Sequence, residues 1–302
     1  MKKRTLAALS LVLLGMVSQT VHCGRDRIRI ATYNIRQFGE GKTDLDRLTT
    51  IIAKTDSDVI AVQEIMSERK LKDVARRLSQ GRRRFEVALS RCGGKSAMHV
   101  GFLYDAEKLT LLATTEYPEL DPDGRGACKQ GERPGFAATF EDKEKRRKMT
   151  LLVVHFLFGG EKERFELRKE QWRKAHAIAT KIEKENPVVI LGDTNSTGWD
   201  DDEWYERTFI KEEAKKNHRV VVTDNLRCSE YWTPGAKDGE REGHIVPSTL
   251  DHIVATPSLV RGRSEVHSFC RELSCKKTST KPEDFEKVTD HCPVTFDIPS
   301  RL

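Results

Sequence analysis

Short apolar runs that stop at polar chemistry recur from one end of this chain to the other, and few architectures can house them. In NPVVILGDTN, residues Val188 to Leu191 follow Pro187 and stop at Gly192-Asp193-Thr194-Asn195. A run so short and β-branched reads as a buried strand rather than a helix. Similar apolar or alternating runs cover 28–34, 58–64, 85–89, 99–104, 109–114, 136–140, 149–155, 220–223, 250–255 and 294–298. Between some of them the apolar period lengthens to that of a helix. Thr43 can cap a helix carrying Leu45, Leu48, Ile51 and Ile52 on one face, and a second helix is expected over 69–78. A third spans 163–184, with Phe165, Trp172, Ala175, Ile178, Ala179 and Ile182 on its apolar side, and 203–210 suits a fourth. Helices follow some strands, while others adjoin through turns such as Glu141-Asp142-Lys143-Glu144. That predicts a mixed α/β domain with sheets inside and helices outside. No linker or repeat divides residues 24–302, so one domain is expected, with 233–248 as an exposed polar loop.

The strand ends share a chemistry. ATYNIRQFG delivers Asn34, VIAVQEI Glu64, LLVVHF His155, and LGDTN Asp193 and Asn195. STLDHIV sets Asp251 in an apolar run, and VTDHCPVTF sets Asp290 and His291 before the last strand. Each alone suits a turn, a helix cap or a satisfied core histidine. Together they are acids, amides and imidazoles at the ends of apolar strands, where burial without partners is costly. A shared polar pocket accounts for all of them. Carboxylates with amides and no paired CxxC motifs favour a hard cation, Mg²⁺ with Mn²⁺ or Ca²⁺ as alternatives, over zinc. Histidines beside such a cation suit proton transfer near neutral pH, as phosphate-ester hydrolysis requires.

The ordered set YNI, VQE, VVHF, LGDTN, LDHIV and TDHCPV resembles the endonuclease/exonuclease/phosphatase superfamily of metal-dependent phosphodiesterases. NIRQFGEGKTD followed by DVIAVQEI resembles its deoxyribonuclease-I-like branch in particular, as do RCGGKSAMHVGFLYD and ERPGFAATF. The resemblance implies a four-layer α/β/β/α sandwich of two mixed sheets flanked by helices, with the site at one edge of the paired sheets. It implies Glu64 as principal metal ligand with Asn34 and Asp290 close by. Asp193 and Asn195 would position water or phosphate, and His155 and His291 would be the paired catalytic histidines. Asp251 would orient His291, and Arg133 would contact phosphate. Two departures stand out. The branch pairs its first histidine with a glutamate, but the matching place here, Met98-His99, holds no acid. The arginine that follows its QE motif is replaced by Met66, with Arg69 a few residues on.

The N-terminus reads as a secretory signal: Met-Lys-Lys-Arg, an apolar run over 6–17, then a more polar end at 18–23. Cleavage is expected near Cys23. Lipid attachment at Cys23 is the lesser alternative, because His22 is a poor residue before a lipidated cysteine. Of seven cysteines, the six beyond Cys23 can form three disulfides in an oxidising compartment, with Cys92–Cys128 and Cys270–Cys275 as guesses. The formal charge of +6 falls to +3 without Lys2, Lys3 and Arg4, a mild basic bias compatible with a polyanion. The expected activity is that of a secreted or periplasmic monomer, without a stable protein partner, that cuts DNA or, alternatively, RNA. A phosphomonoesterase, a phospholipid or sphingomyelin phosphodiesterase, and a catalytically inactive binding module are the rivals. A lipid enzyme would carry an apolar rim, whereas WDDDEW, 199–204, interleaves its aromatics with acids.

Overall fold

Alternation along a strand sorts its side chains onto two faces, and in this chain both faces of the central strands are buried. The computed structural model describes residues 27–122, 124, 128, 131–196, 200–234 and 243–299. Residues 1–23, where a signal segment is expected, and Trp199 lie outside them. The elements in chain order are β1 (Arg27–Phe38), α1 (Leu45–Thr55), β2 (Val59–Ile65), α2 (Glu68–Leu78), β3 (Phe85–Leu89), β4 (His99–Asp105) and β5 (Leu109–Tyr117). There follow β6 (Gly135–Asp142), β7 (Lys148–His155), α3 (Lys162–Ile182), β8 (Val188–Asp193), α4 (Asp200–Lys216) and β9 (Val220–Val221). The chain ends with β10 (Glu230–Trp232), β11 (Val246–Ser248), β12 (Asp251–Ala255), β13 (Glu265–Val266), α5 (Ser268–Glu272), α6 (Glu283–Lys287) and β14 (Val294–Pro299).

Two six-stranded sheets result, ordered β13-β14-β1-β2-β4-β3 and β5-β6-β7-β8-β12-β9. Their inner faces meet in one core containing Ile30, Ala61, Phe102, Phe136, Leu151, Leu191 and Phe296. Residues one step along face outward. Ala31, Ile60 and Leu103 pack with Leu48, Ile51, Leu71 and Val74 of α1 and α2. Leu152, Val154 and Ile190 pack with Trp172, Ala175 and Ile178 of α3 and with Ile210 of α4. Helix, sheet, sheet and helix therefore stack as the expected four layers. Within each sheet the central pair is parallel, β1 with β2 and β7 with β8, so the carboxyl ends of these four strands share one edge. No helix among the described residues is long and apolar enough to cross a membrane.

The sequence reading needs correction in several places. Helix α1 is capped by Asp44 rather than Thr43, because the Asp44 carboxylate accepts from the Asp46 and Arg47 amides. The strand expected over 220–223 ends at Val221. Thr223 turns its hydroxyl to His252 Nδ1 at 3.1 Å, and the chain leaves the sheet in a 3-10 turn. Helix α4 is about twice as long as expected. The loop expected over 233–248 is not wholly exposed, since Ile245 is fully buried and β11 pairs with β10. Cys92–Cys128 forms as guessed, but Cys270–Cys275 does not. Glu230 bridges to His291, laying residues 228–232 beside 290–292, so Cys275 reaches Cys228 and Cys270 reaches Cys292. These two bridges cross-link a satellite core of Tyr231, Phe269 and Phe285.

Gly192 is required where β8 meets β7. Its φ is +146°, and a Cβ there would sit 1.9 Å from the Val154 carbonyl oxygen. Gly192→Ala is therefore expected to push the strands apart and cost at least about 1–3 kcal/mol, read as a lower urea midpoint.

Two buried histidines make the fold sensitive to acid. Burial, with Arg219 beside it, pushes His176 down to about 3, and burial with Arg207 does the same to His252. Both are neutral in the folded protein, but in the unfolded chain each takes up a proton near pH 6.5. The unfolded state thus binds more protons below that pH. Stability present above about pH 6.5 should fall toward pH 3 by about 1.4 kcal/mol per pH unit per histidine. Denaturant titrations across that range should show this slope, and His176→Gln should make it shallower.

Candidate active site

Strand register builds one half of the site. Parallel pairing sets His155 of β7 against Asp193 of β8, and antiparallel pairing sets Asp193 against Asp251 of β12. The facing sheet sets Asn34 of β1 against Gln63 of β2. Glu64 follows Gln63 and would point outward by simple alternation. Instead Val62 and Ile65 both join the outer core, three residues apart, and the register shifts between them. This bulge, with Glu64 at φ +61°, frees the Glu64 side chain from the outward row. Backbone strain of this kind concentrates at functional sites.

The two halves meet at one atom. Asp193 Oδ2 accepts from Asn34 Nδ2 at 2.8 Å, and the same amide donates to Glu64 Oε1 at 3.0 Å. Nε2 of His155 lies 3.5 Å from Asp193 Oδ2 and 3.7 Å from Glu64 Oε1. Nε2 of His291 lies 3.6 Å from the same Asp193 oxygen. The other carboxylate oxygen, Oδ1, accepts from the Asn195 backbone amide at 2.8 Å. Asn195, in the left-handed region at φ +47°, donates its side-chain amide to the Phe156 carbonyl at 3.0 Å. Asp251 Oδ2 accepts from His291 Nδ1 at 2.9 Å and from the Ser229 hydroxyl at 2.8 Å. Asp290 stands at the rim, ion-paired with Arg36 at 3.3 Å.

The two histidines differ sharply. Burial opposes a charge on His291, yet Asp251 and Asp193 outweigh it and hold the imidazole well above its ordinary value. Burial, then Arg133 and His291, drive His155 well below it. Asp193, 1% exposed, is pushed up to about 7 by burial, His291 opposing and Asp251 adding to the shift. An acid and a base with shifted values in one cleft are the usual equipment for proton transfer.

Sequence reasoning missed two participants, Glu230 and Ser229, and the contact made by a third. Arg133, expected on phosphate, places Nη1 2.6 Å from His155 Nδ1 and Nη2 3.2 Å from Glu132. His155 thus has a partner after all, a cation in place of the acid missing at Met98-His99. His99 instead turns Nδ1 to the Ser90 carbonyl at 2.7 Å. Glu230 is 4% exposed with Oε2 lacking a hydrogen bond, and burial, with the nearby acids opposing His291, raises it well above the carboxylate range. Ser229 anchors Asp251. The opposite charges of ERP hinted at the Arg133 contact, but no sequence signal marks Glu230 or Ser229, whose positions depend on the bridge to His291.

Glu64, His155 and Asp193 each bring a ligand atom within 4.8 Å of the others. Two of the three are carboxylates, a donor set that suits a hard divalent cation.

Solved structures share this architecture at low identity. A Bacteroides vulgatus endonuclease/exonuclease/phosphatase superposes with TM-score 0.61 at 19% identity, over 90% of this chain and 98% of that one. A mannosyl-6-phosphatase from Bacteroides thetaiotaomicron gives 0.59 at 14%, over 90% and 99%. Zebrafish (D. rerio) TDP2 complexed with a single-strand DNA product gives 0.59 at 13%, over 90% and 98%. No curated protein matches the chain in sequence. The sequence pattern of the Endonuclease/Exonuclease/phosphatase family matches residues 31–291, from β1 to His291, and the chain belongs to that family of metal-dependent hydrolases.

Proposed function

We propose that the protein is an exported, divalent-metal-dependent endonuclease of the deoxyribonuclease-I-like kind, hydrolysing DNA phosphodiester bonds with little sequence preference. The observation that carries this reading is the line Asp251–His291–Asp193, with contacts of 2.9 and 3.6 Å, facing Asn34 and Glu64. A binding surface has no need of an imidazole held cationic between two buried carboxylates. The mild positive charge and the DNA product carried by the zebrafish relative support a nucleic-acid substrate. Three disulfides are compatible with an extracellular setting.

In this reading, water beside Asp193 attacks phosphorus in line with the leaving oxygen. Asp193, titrating near neutrality, takes the water proton as the new O–P bond forms. The P–O bond to the departing sugar breaks, and His291 delivers its Nε2 proton to that oxygen while Asp251 steadies the ring. Asn34 and Asn195 hold the Asp193 carboxylate in place from opposite sides. The Mg²⁺, Mn²⁺ or Ca²⁺ that Glu64, Asn34 and Asp290 would hold supplies neutralisation of the phosphate charge.

Purified protein is expected to nick supercoiled plasmid with Mg²⁺ or Mn²⁺, to lose that activity to a chelator, and to slow as salt rises. Hydrolysis of a sugar phosphate, phosphoinositide or sphingomyelin with the plasmid left intact would overturn the substrate assignment while keeping the family.

His291→Ala and Asp193→Ala should each lower the cleavage rate at least about a hundredfold while leaving the circular dichroism spectrum unchanged. A variant of either residue that cleaves at wild-type rate removes it from the mechanism.

A further inference from the structure

His155 and His291 occupy matching places at the site, yet their Nδ1 atoms face opposite kinds of partner. His291 Nδ1 faces a carboxylate, Asp251, at 2.9 Å. His155 Nδ1 faces a guanidinium nitrogen, Arg133 Nη1, at 2.6 Å. Guanidinium carries only donors and does not deprotonate in proteins. At that distance there is room for one hydrogen, and arginine supplies it. Nδ1 of His155 must therefore present its lone pair, which leaves the ring proton of the neutral imidazole on Nε2. That N–H points toward Glu64 Oε1 and Asp193 Oδ2, both acceptors, at 3.7 and 3.5 Å.

Arg133 is not free to turn away. It is 7% exposed, and its Nη2 donates to Glu132 Oε2 at 3.2 Å. Glu132 is itself held by Lys95 Nζ at 2.6 Å and by Asp121, which accepts from its backbone amide at 3.2 Å. The Gly94 backbone packs so tightly on Arg133 that a Cβ on Gly94 would lie 2.6 Å from the Arg133 amide nitrogen. Lys95 N donates to the Gly131 carbonyl at 3.0 Å, and the Cys92–Cys128 disulfide ties the same two segments together. A covalently closed loop thus holds the guanidinium against the imidazole.

We propose that Arg133 is a positioning residue that locks His155 as the Nε2–H tautomer, so that His155 serves as a hydrogen-bond donor to a non-bridging phosphate oxygen. Its Nε2 then carries a proton where a metal ligand would need a lone pair, so the cation is left to the oxygen ligands, and of the two histidines His291 alone moves protons. The donor role rests on the phosphodiesterase reading above; the tautomer does not.

The tautomer can be read directly. Long-range ¹H–¹⁵N spectra of protein labelled at histidine distinguish protonated from unprotonated ring nitrogens, and loss of one spin system in His155→Gln assigns it. The expected pattern at neutral pH is a proton on Nε2 and a lone pair on Nδ1. Arg133→Met should release the ring to change tautomer. Calorimetric titration with Mn²⁺ should give the same affinity for His155→Gln as for wild type. A proton on Nδ1, or a loss of Mn²⁺ affinity of about tenfold or more, the ordinary effect of disturbing a metal's surroundings, would overturn the assignment. In plasmid cleavage, His155→Gln, which keeps a neutral N–H donor, should be at least tenfold faster than His155→Ala, about the weight of one charge-assisted hydrogen bond. Equal rates for the two would equally overturn the donor role. Failure of the nuclease reading would show separately, as wild-type protein that cuts no plasmid while the ring pattern stands.

Discussion

One hydrogen bond crosses from sheet to sheet at the edge of the sandwich, from Asn34 Nδ2 on β1 to Asp193 Oδ2 on β8, and the site is arranged about it. Both groups are almost wholly buried. A carboxylate there is costly unless donors surround it. Asn34, the Asn195 amide and His291 provide them, and the compensation is incomplete enough to leave Asp193 titrating near 7. The same balance that makes the residue expensive for the fold makes it useful to chemistry. The inner core of interlocked β-branched and aromatic side chains holds the two sheets at the separation this contact needs.

Outside that contact, the supporting structure falls into two parts, each closed by disulfides. On one side, Cys92–Cys128 fastens the Gly94 loop over Arg133 and so over His155. On the other, Cys228–Cys275 and Cys270–Cys292 fasten β10 beside the segment of His291, bringing Ser229 to Asp251 and Glu230 to His291. Strand pairing alone fixes His155, Asp193 and Asp251, which sit within the ladder. The residues that tune them lie outside the two large sheets, and covalent links take over the work of register there. An enzyme built this way gains little from a larger core, because its precision depends on a few loop positions.

How much of this was legible in the chain follows from what kind of force places each part. The strand cores and the convergence of Asn34, Glu64, His155, Asp193, Asp251 and His291 follow from periodicity and from where apolar runs end, both local properties, whereas the four layers were implied by the family resemblance. Glu64 was identified by motif, but the bulge that re-aims it was not, because the spacing of Val62 and Ile65 looks like ordinary alternation until the outer core is seen. Cysteine pairing was half right. Cys270 and Cys275 are near neighbours in sequence, yet a bridge between residues 230 and 291 brings each a better-placed partner. The missing acid at Met98-His99 was visible as a gap. Its replacement came from Arg133, more than thirty residues later, through a contact that only the tertiary fold creates.

The two histidines show why a motif cannot assign a mechanism by itself. His155 and His291 are the same residue type, one ending β7 and the other just ahead of β14, at similar distances from one carboxylate oxygen. A carboxylate behind the ring raises its proton affinity and leaves Nε2 as the atom that exchanges protons. A guanidinium behind the ring lowers that affinity and fixes the proton on Nε2. The partner atom at Nδ1 therefore divides the labour. One ring is suited to giving up a proton to a leaving group, and the other to gripping an anion without changing charge. A neutral His155 adds no charge to the pocket, and the proton that His291 gives up is matched by the one that Asp193 takes, so net charge there is unchanged over the chemical step. That economy suits a cleft whose Asp193, Asp251 and Glu230 are already buried close together, since each further uncompensated charge there would weigh directly against the fold.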